Sequence, residues 1–124
     1  MTTRLKFRSK FEKAVYEQVE RHKQQVEYEP TKPPIYYTTT AAYIPDFKLS
    51  NGVLIECKGF FSPRDRRKML QVARDNPNLD IRFVFQRASN RLTKSPNSMT
   101  YWQWAEKHSF KWSEGYIPEE WYSE

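Results

Sequence analysis

The sequence has a single cysteine, few glycines and no long apolar segment. Cys57 has no second thiol to pair with, so an intrachain disulfide is excluded and a reducing compartment is indicated. No stretch approaches the roughly 20 apolar residues that cross a membrane, and the first residues lack the apolar run of a secretory signal. We therefore expect a cytoplasmic protein without a membrane partner. The three glycines, Gly52, Gly59 and Gly115, are expected where the backbone requires them.

Length and charge indicate one domain that acts on a polyanion. The 124 residues suit a single domain spanning residues 1–124. With 21 Lys and Arg against 15 Asp and Glu, the formal net charge is +6. A positive excess on a small protein favours nucleic acid as a partner, although a basic protein without one is the simpler alternative.

Periodicity and turn signals predict an α/β domain with a mixed sheet flanked by helices. The predicted elements are, in order, a helix over 9–26, a Pro-rich connector over 30–34, a strand over 35–40, a hairpin of strands 43–49 and 53–60, a helix over 62–75, a strand over 79–86 and a helix over 98–109. Residues 26–29 also fit a short strand. Segment 53–86 forms a βαβ unit, so its two strands should be parallel.

The pattern that indicates chemistry is Pro45-Asp46, nine further residues, and Glu56-Cys57-Lys58. Alternate residues of a strand share a face, so Glu56 and Lys58 point the same way and Cys57 points to the other side. A two-residue hairpin loop would turn Asp46 away from Glu56. A three-residue loop, with Gly52 in the left-handed region, would set Asp46 opposite Glu56, and we predict this second register.

Two adjacent carboxylates repel, and a hard divalent cation relieves that repulsion. We therefore predict Mg²⁺ at Asp46 and Glu56, with the backbone carbonyl of Cys57 as a further ligand and Mn²⁺ as a substitute. Lys58 would position the water or neutralise charge on the phosphorus. The alternative is a surface ion pair between Glu56 and Lys58, with Asp46 an ordinary residue near the turn.

Glu12 has two competing interpretations. It stands three residues after Ser9, which is the spacing of a capping box at the start of the first helix. It could instead add a carboxylate to the metal cluster if that helix packs near the hairpin.

Basic residues gather in three places where they could contact a DNA backbone. Residues 1–8 form a basic N-terminal arm, a second group follows the Glu56–Lys58 strand, and a third lies after the next strand. The predicted DNA-binding residues are Arg4, Lys6, Arg8, Lys10, Arg64, Arg66, Arg67, Arg87, Arg91 and Lys94. A solvated helix face is the alternative for the second group.

Taken together, these motifs resemble the phage endonuclease I family. The segments that carry the resemblance are Phe7-Arg8-Ser9-Lys10-Phe11-Glu12, Tyr43-Ile44-Pro45-Asp46-Phe47, Asn51-Gly52, Ile55-Glu56-Cys57-Lys58-Gly59, Leu79-Asp80-Ile81-Arg82-Phe83-Val84-Phe85, Ser95-Pro96 and Ile117-Pro118-Glu119-Glu120-Trp121. They occur in order over nearly the whole chain.

The resemblance implies a restriction-endonuclease-like fold and Mg²⁺-dependent cleavage of branched DNA, notably four-way Holliday junctions, that leaves a 5′-phosphate. It implies catalytic roles for Asp46, Glu56 and Lys58, and a place for Glu12 in the metal cluster. It also implies an intertwined, domain-swapped homodimer that crosses at the 30–34 connector, acts in the cytoplasm of an infected host cell and uses no organic cofactor.

Two other functions stay open on the sequence. One is a non-catalytic basic DNA-binding module, and the other is a related nuclease that cuts simple duplex DNA.

Overall fold

The computed structural model describes Phe7 and residues 9–21, 27–30, 33–37 and 41–124. The helices are α1 (Lys10–Arg21), α2 (Pro63–Asp75) and α3 (Tyr101–Lys107), and a 3₁₀ turn spans Glu119–Tyr122. The strands are β1 (Glu27–Tyr28), β2 (Ile35–Tyr37), β3 (Ala41–Tyr43), β4 (Phe47–Lys48), β5 (Leu54–Lys58), β6 (Ile81–Phe85) and β7 (Lys111–Glu114).

Five strands form a mixed sheet in the order β1-β4-β5-β6-β7. The first three are antiparallel neighbours, whereas β5, β6 and β7 run parallel. The predicted parallel βαβ unit is therefore confirmed, with α2 as its crossover. Strands β2 and β3 form a separate two-stranded sheet, which the sequence did not predict.

The sheet is covered on both faces, as the α/β prediction required. Leu54 and Phe83 face one apolar cluster with residues of α2 and α3. Ile55 and Val84 face the other, which holds Val15 and Val19 of α1. All five residues of β6 are buried, because this strand lies at the middle of the parallel part of the sheet.

The helix ends follow local capping chemistry. The hydroxyl of Ser62 accepts from the Asp65 amide at 3.0 Å, as predicted for α2. Thr100 and Gln103 form a reciprocal capping box that starts α3 three residues later than the sequence suggested. α1 is described as far as Arg21, so the predicted extension to residue 26 lies outside the described residues.

Strand β7 is the main element that the sequence analysis missed. Its four residues pair in parallel with β6, and α3 connects the two strands. Only Ser113 of the four is buried, so the segment lacks the apolar alternation that would have marked it. Among the described residues, no helix combines the length and the apolar character needed to cross a membrane.

The turn between β4 and β5 has the predicted three-residue loop. The Leu49 amide donates to the Val53 carbonyl at 2.9 Å, and the Gly52 amide donates back to Leu49 at 2.9 Å. Gly52 has a φ of +93°, the left-handed region that glycine enters without steric cost. This loop sets the register in which Phe47 pairs with Ile55.

Replacing Gly52 with alanine should lower the free energy of unfolding by about 1–2 kcal/mol, because a Cβ disfavours positive φ. Urea denaturation measures the change. The control is Gly59→Ala, whose added Cβ would lie 3.0 Å from Oε1 of Gln86, the movable end of a side chain. Equal losses in the two variants would contradict the strain argument.

The buried side chain of Arg82, near the start of β6, forms ion pairs with two partly exposed carboxylates. Its Nη2 lies 2.7 Å from Asp80 Oδ2, its Nη1 lies 2.7 Å from Glu124 Oε1, and its guanidinium stacks on Trp121. Hydrogen bonding from Arg82 lowers the pKa of Asp80. A hydrogen bond from Lys111, and then the ion pair with Arg82, lower the pKa of Glu124.

Arg82→Met should reduce the acid sensitivity of folding. A carboxyl whose pKa is lower in the folded state stabilises the fold above its unfolded pKa, and that stabilisation disappears as the pH falls. The urea midpoint of the parent should therefore drop between about pH 5 and about pH 2, and the drop should be smaller in the variant. If the urea midpoints of the parent and of Arg82→Met fell equally with pH, the ion pairs of Arg82 would not account for the acid sensitivity.

Candidate active site

Three carboxylates from separate segments converge at one end of the sheet. One carboxylate oxygen each of Glu12, Glu29 and Asp46 lies within 4.8 Å of the other two. Glu12 is 4% exposed and Asp46 is 1% exposed. We call this set the acidic cluster. Like charges buried together at this distance repel strongly, and a bound cation would offset that repulsion.

A bulge in β4 aims the side chain of Asp46. The Asp46 amide donates to the Ile55 carbonyl at 3.1 Å, yet Ile55 is also the ladder partner of Phe47. Two consecutive residues thus face one partner, which is the arrangement of a β-bulge. The carboxylate accepts from the Cys57 amide at 2.8 Å. Asp46 therefore departs from the simple facing of Glu56 that the hairpin register predicted.

Glu12 reaches the site from the first turn of α1. Its amide donates to the Ser9 hydroxyl at 3.0 Å, which confirms the backbone half of the predicted cap. Its carboxylate Oε1 accepts from the Tyr28 hydroxyl. Tyr28 also packs against Phe47, with ring centroids 5.6 Å apart. The two interpretations of Glu12 are thus compatible, since the amide serves the cap and the carboxylate joins the acidic cluster.

Glu29 is the member of the cluster that the sequence analysis missed. It directly follows β1, and its amide donates to the Asp46 carbonyl at 3.0 Å. Its φ is +49°, a conformation that non-glycine residues rarely adopt. The alternation in residues 26–29 suggested a short strand. Only the pairing of β1 with β4 could have shown that this strand ends beside Asp46.

Glu56 and Lys58 lie side by side on β5, as strand alternation predicted. Lys58 Nζ lies 3.7 Å from Glu56 Oε2 and 3.6 Å from Asp65 Oδ2. Glu56 is only 4% exposed, and its Oε1 accepts from the Tyr43 hydroxyl at 2.7 Å. Burial, followed by the charge of Glu56, raises the pKa of Tyr43 well above its usual value, so this hydroxyl remains a donor.

Cys57 presents its backbone rather than its thiol to the site. Burial, and then the charges of Asp46 and Glu56, raise the pKa of the Cys57 thiol well above its usual value, which disfavours the thiolate that a nucleophile needs. Because the amide of Cys57 points to Asp46, strand geometry directs its carbonyl to the same side.

The predicted DNA-binding residues fall into three groups. Arg4, Lys6 and Arg8 lie outside the described residues. Two guanidinium groups bind backbone carbonyls, that of Arg66 to Phe61 and that of Arg91 to Ser98. The remaining five side chains are exposed, and they are Lys10, Arg64, Arg67, Arg87 and Lys94.

A groove of about 540 Å³ is lined by residues of α2 together with one residue each of β2 and β3. We call it the basic groove, and its lining residues are Tyr37, Ala41, Arg64, Asp65, Arg67, Lys68 and Gln71. Asp65 lines the groove and also contacts Lys58, so the groove adjoins the site. Arg87 follows β6, whose Phe85 pairs with Lys58, so it lies at the same sheet edge.

Comparisons with known proteins all identify the same family. The family model of phage endonuclease I matches residues 1–124. The chain is 40% identical to the Endonuclease I of Escherichia phage T7, over 95% of this chain and 79% of the relative. It is 39% identical to the Endodeoxyribonuclease 1 of Enterobacteria phage T3, over 90% and 74% respectively. The chain therefore belongs to the phage endonuclease I family and is an endonuclease.

Proposed function

We propose that this protein is an Mg²⁺-dependent, structure-selective DNA endonuclease that hydrolyses phosphodiester bonds in four-way (Holliday) and other branched junctions. The observation that carries the proposal is the acidic cluster, whose Asp46 accepts from the amide of Cys57 between Glu56 and Lys58, in a chain of the phage endonuclease I family. The relative from phage T3 is named for action on DNA. Preference for branched DNA is our expectation from the motifs described above.

The donor set fits a hard divalent cation. Carboxylate and carbonyl oxygens are the ligands of Mg²⁺, and Mn²⁺ accepts the same donors. The residues that would hold the ion are Glu12, Glu29, Asp46 and Glu56, together with the Cys57 carbonyl. The chemistry that a bound Mg²⁺ supplies is polarisation of the scissile phosphate and a lowered pKa of its bound water.

The side chains divide the remaining work. Lys58 brings an ammonium group to the site, where it would neutralise charge that develops on the phosphoryl oxygens. Glu56 and Asp65 hold that ammonium group within 3.7 Å and 3.6 Å. Glu56 would also orient the attacking water. The low exposure of Glu12, Asp46 and Glu56 strengthens every charge interaction in the site.

Charge around the site supports DNA as the substrate. Arg64, Arg67 and Lys68 line the basic groove, which adjoins Lys58 through Asp65. Such residues would bind backbone phosphates and hold the scissile bond near the acidic cluster. Lys10, Arg66, Arg87, Arg91 and Lys94, with the N-terminal Arg4, Lys6 and Arg8, would extend this contact along the arms of a junction.

The position of the Pro-rich connector supports an intertwined homodimer. Glu12 and Glu29 precede the connector, whereas Asp46, Glu56 and Lys58 follow it. Each site therefore combines two parts of the chain joined at 30–34, and exchange of the first part between two subunits would keep the site whole. Two sites in one dimer would cut both strands of a junction in one encounter, in the cytoplasm of an infected host cell.

Glu56→Ala should lower the rate of junction cleavage in Mg²⁺ by at least about 100-fold, because the variant lacks a proposed metal ligand and the group that would orient the attacking water. Junction binding should be equal or tighter, since a negative charge leaves the phosphate site. Cleavage of a labelled four-way junction, with and without Mg²⁺, and gel-shift affinity measure the two effects.

The matched control for that experiment is Glu17→Ala, which removes an exposed glutamate from α1. It should cut like the parent. Parental cleavage by Glu56→Ala would refute the assigned chemistry. Competition between a four-way junction and a linear duplex of equal length tests selectivity. If both substrates were cut equally, the protein would be a nuclease of simple duplex DNA and not a junction-resolving enzyme.

Glu29→Gln should weaken metal binding by about tenfold, because oxygen sites lose affinity as their charged ligands are removed. Titration calorimetry with Mn²⁺ in the absence of DNA measures this directly. Glu27→Gln is the control, since Glu27 is an exposed residue of β1 two positions before Glu29 and lies outside the acidic cluster. An unchanged Mn²⁺ affinity in Glu29→Gln would remove Glu29 from the ligand set.

A further inference from the structure

Tyr43 stands at a position that none of the roles assigned so far explains. It is the last residue of β3 in the small two-stranded sheet, and it is 2% exposed. Its ring packs in the cluster that contains Leu54 of β5 and Met69 of α2. Its hydroxyl donates to Oε1 of Glu56 at 2.7 Å. A residue from outside the main sheet thus contacts the carboxylate at the centre of the site.

The two oxygens of Glu56 have different neighbours. Oε1 accepts from Tyr43, while Oε2 lies 3.7 Å from Lys58 Nζ. A carboxylate that is only 4% exposed is costly to bury unless donors and cations surround it. The terminal torsion of a glutamate is otherwise broad, so two separate partners define which oxygen points where.

The backbone and the ring of Tyr43 each have a defined partner. The backbone pairs with that of Ile35 in the two-stranded sheet. Nζ of Lys68 lies 5.8 Å from the ring centroid, within the range of a cation–π contact. Since Lys68 also lines the basic groove, this contact links the groove to the carboxylate through a single ring.

We propose that Tyr43 is a positioning residue of the nuclease, whose hydroxyl fixes the Glu56 carboxylate so that Oε2 faces Lys58 and the reacting phosphate. The inference rests on the function proposed above. Partners that orient a ligand or catalytic carboxylate commonly account for about 10- to 100-fold in metal affinity or activity. The small β2–β3 sheet would then position the Tyr43 hydroxyl at the site.

Tyr43→Phe tests the proposal because it removes one oxygen and keeps the ring. Its kcat on a four-way junction at saturating Mg²⁺ should fall about 10- to 100-fold. Junction affinity in Ca²⁺ should stay within about twofold, because the phosphate-binding side chains are unchanged. Mn²⁺ affinity is measured by calorimetry without DNA. Adding Tyr43→Phe to the parent should weaken this affinity. Adding Tyr43→Phe to a Glu56→Gln variant should not, because both substitutions act through the same Glu56 carboxylate.

The matched control is Tyr101→Phe. Tyr101 is 3% exposed in the same apolar cluster, and its hydroxyl accepts from the Phe61 amide at 3.1 Å. Both variants thus lose one buried tyrosine hydrogen bond, and both should lose similar thermal stability. Only Tyr43→Phe should lose kcat and Mn²⁺ affinity.

Each possible outcome decides the question. Parental kcat and parental Mn²⁺ affinity in Tyr43→Phe would overturn the proposal, as would equal losses in Tyr43→Phe and Tyr101→Phe. A parent protein that cuts no junction would refute the proposed function instead. In that case, weakened Mn²⁺ binding confined to Tyr43→Phe would still support positioning of Glu56, and unchanged binding would reject it.

Discussion

The site depends on holding like charges together away from water. Glu12, Asp46 and Glu56 are nearly inaccessible, and a carboxylate is costly to bury unless donors or cations surround it. Specific donors offset the cost: the hydroxyl of Tyr28 for Glu12, the amide of Cys57 for Asp46, and the hydroxyl of Tyr43 for Glu56.

The backbone conformation also helps to orient these carboxylates. The bulge in β4 aims one carboxylate out of the regular alternation, and the positive φ of Glu29 turns another toward it. Departures from ideal strand geometry cost free energy and are retained where function requires them. The two departures meet directly, because the amide of Glu29 donates to the carbonyl of Asp46 at 3.0 Å.

The hairpin and the βαβ unit could be predicted because their signals are local. Asn51-Gly52 specifies the turn, the turn specifies the register, and strand alternation then sets Glu56 beside Lys58. The cap of α2 at Ser62 followed from the same kind of short-range rule. Glu29 and Tyr43 could not be found in this way. Their neighbours in the site are 17 and 13 residues distant in sequence, and no local rule pairs either residue with its neighbour.

Local sequence patterns were enough to predict the turn, the parallel crossover, the pair on β5 and the family resemblance, since each depends on residues a few positions apart or on ordered motifs. Long-range packing sets which carboxylates meet. The pairing of β1 with β4 brings Glu29 to Asp46, and the packing of α1 on the sheet brings Glu12 to both. These contacts form because segments that are far apart in the sequence bury their apolar surfaces against each other. Local propensities do not specify which apolar faces pack together.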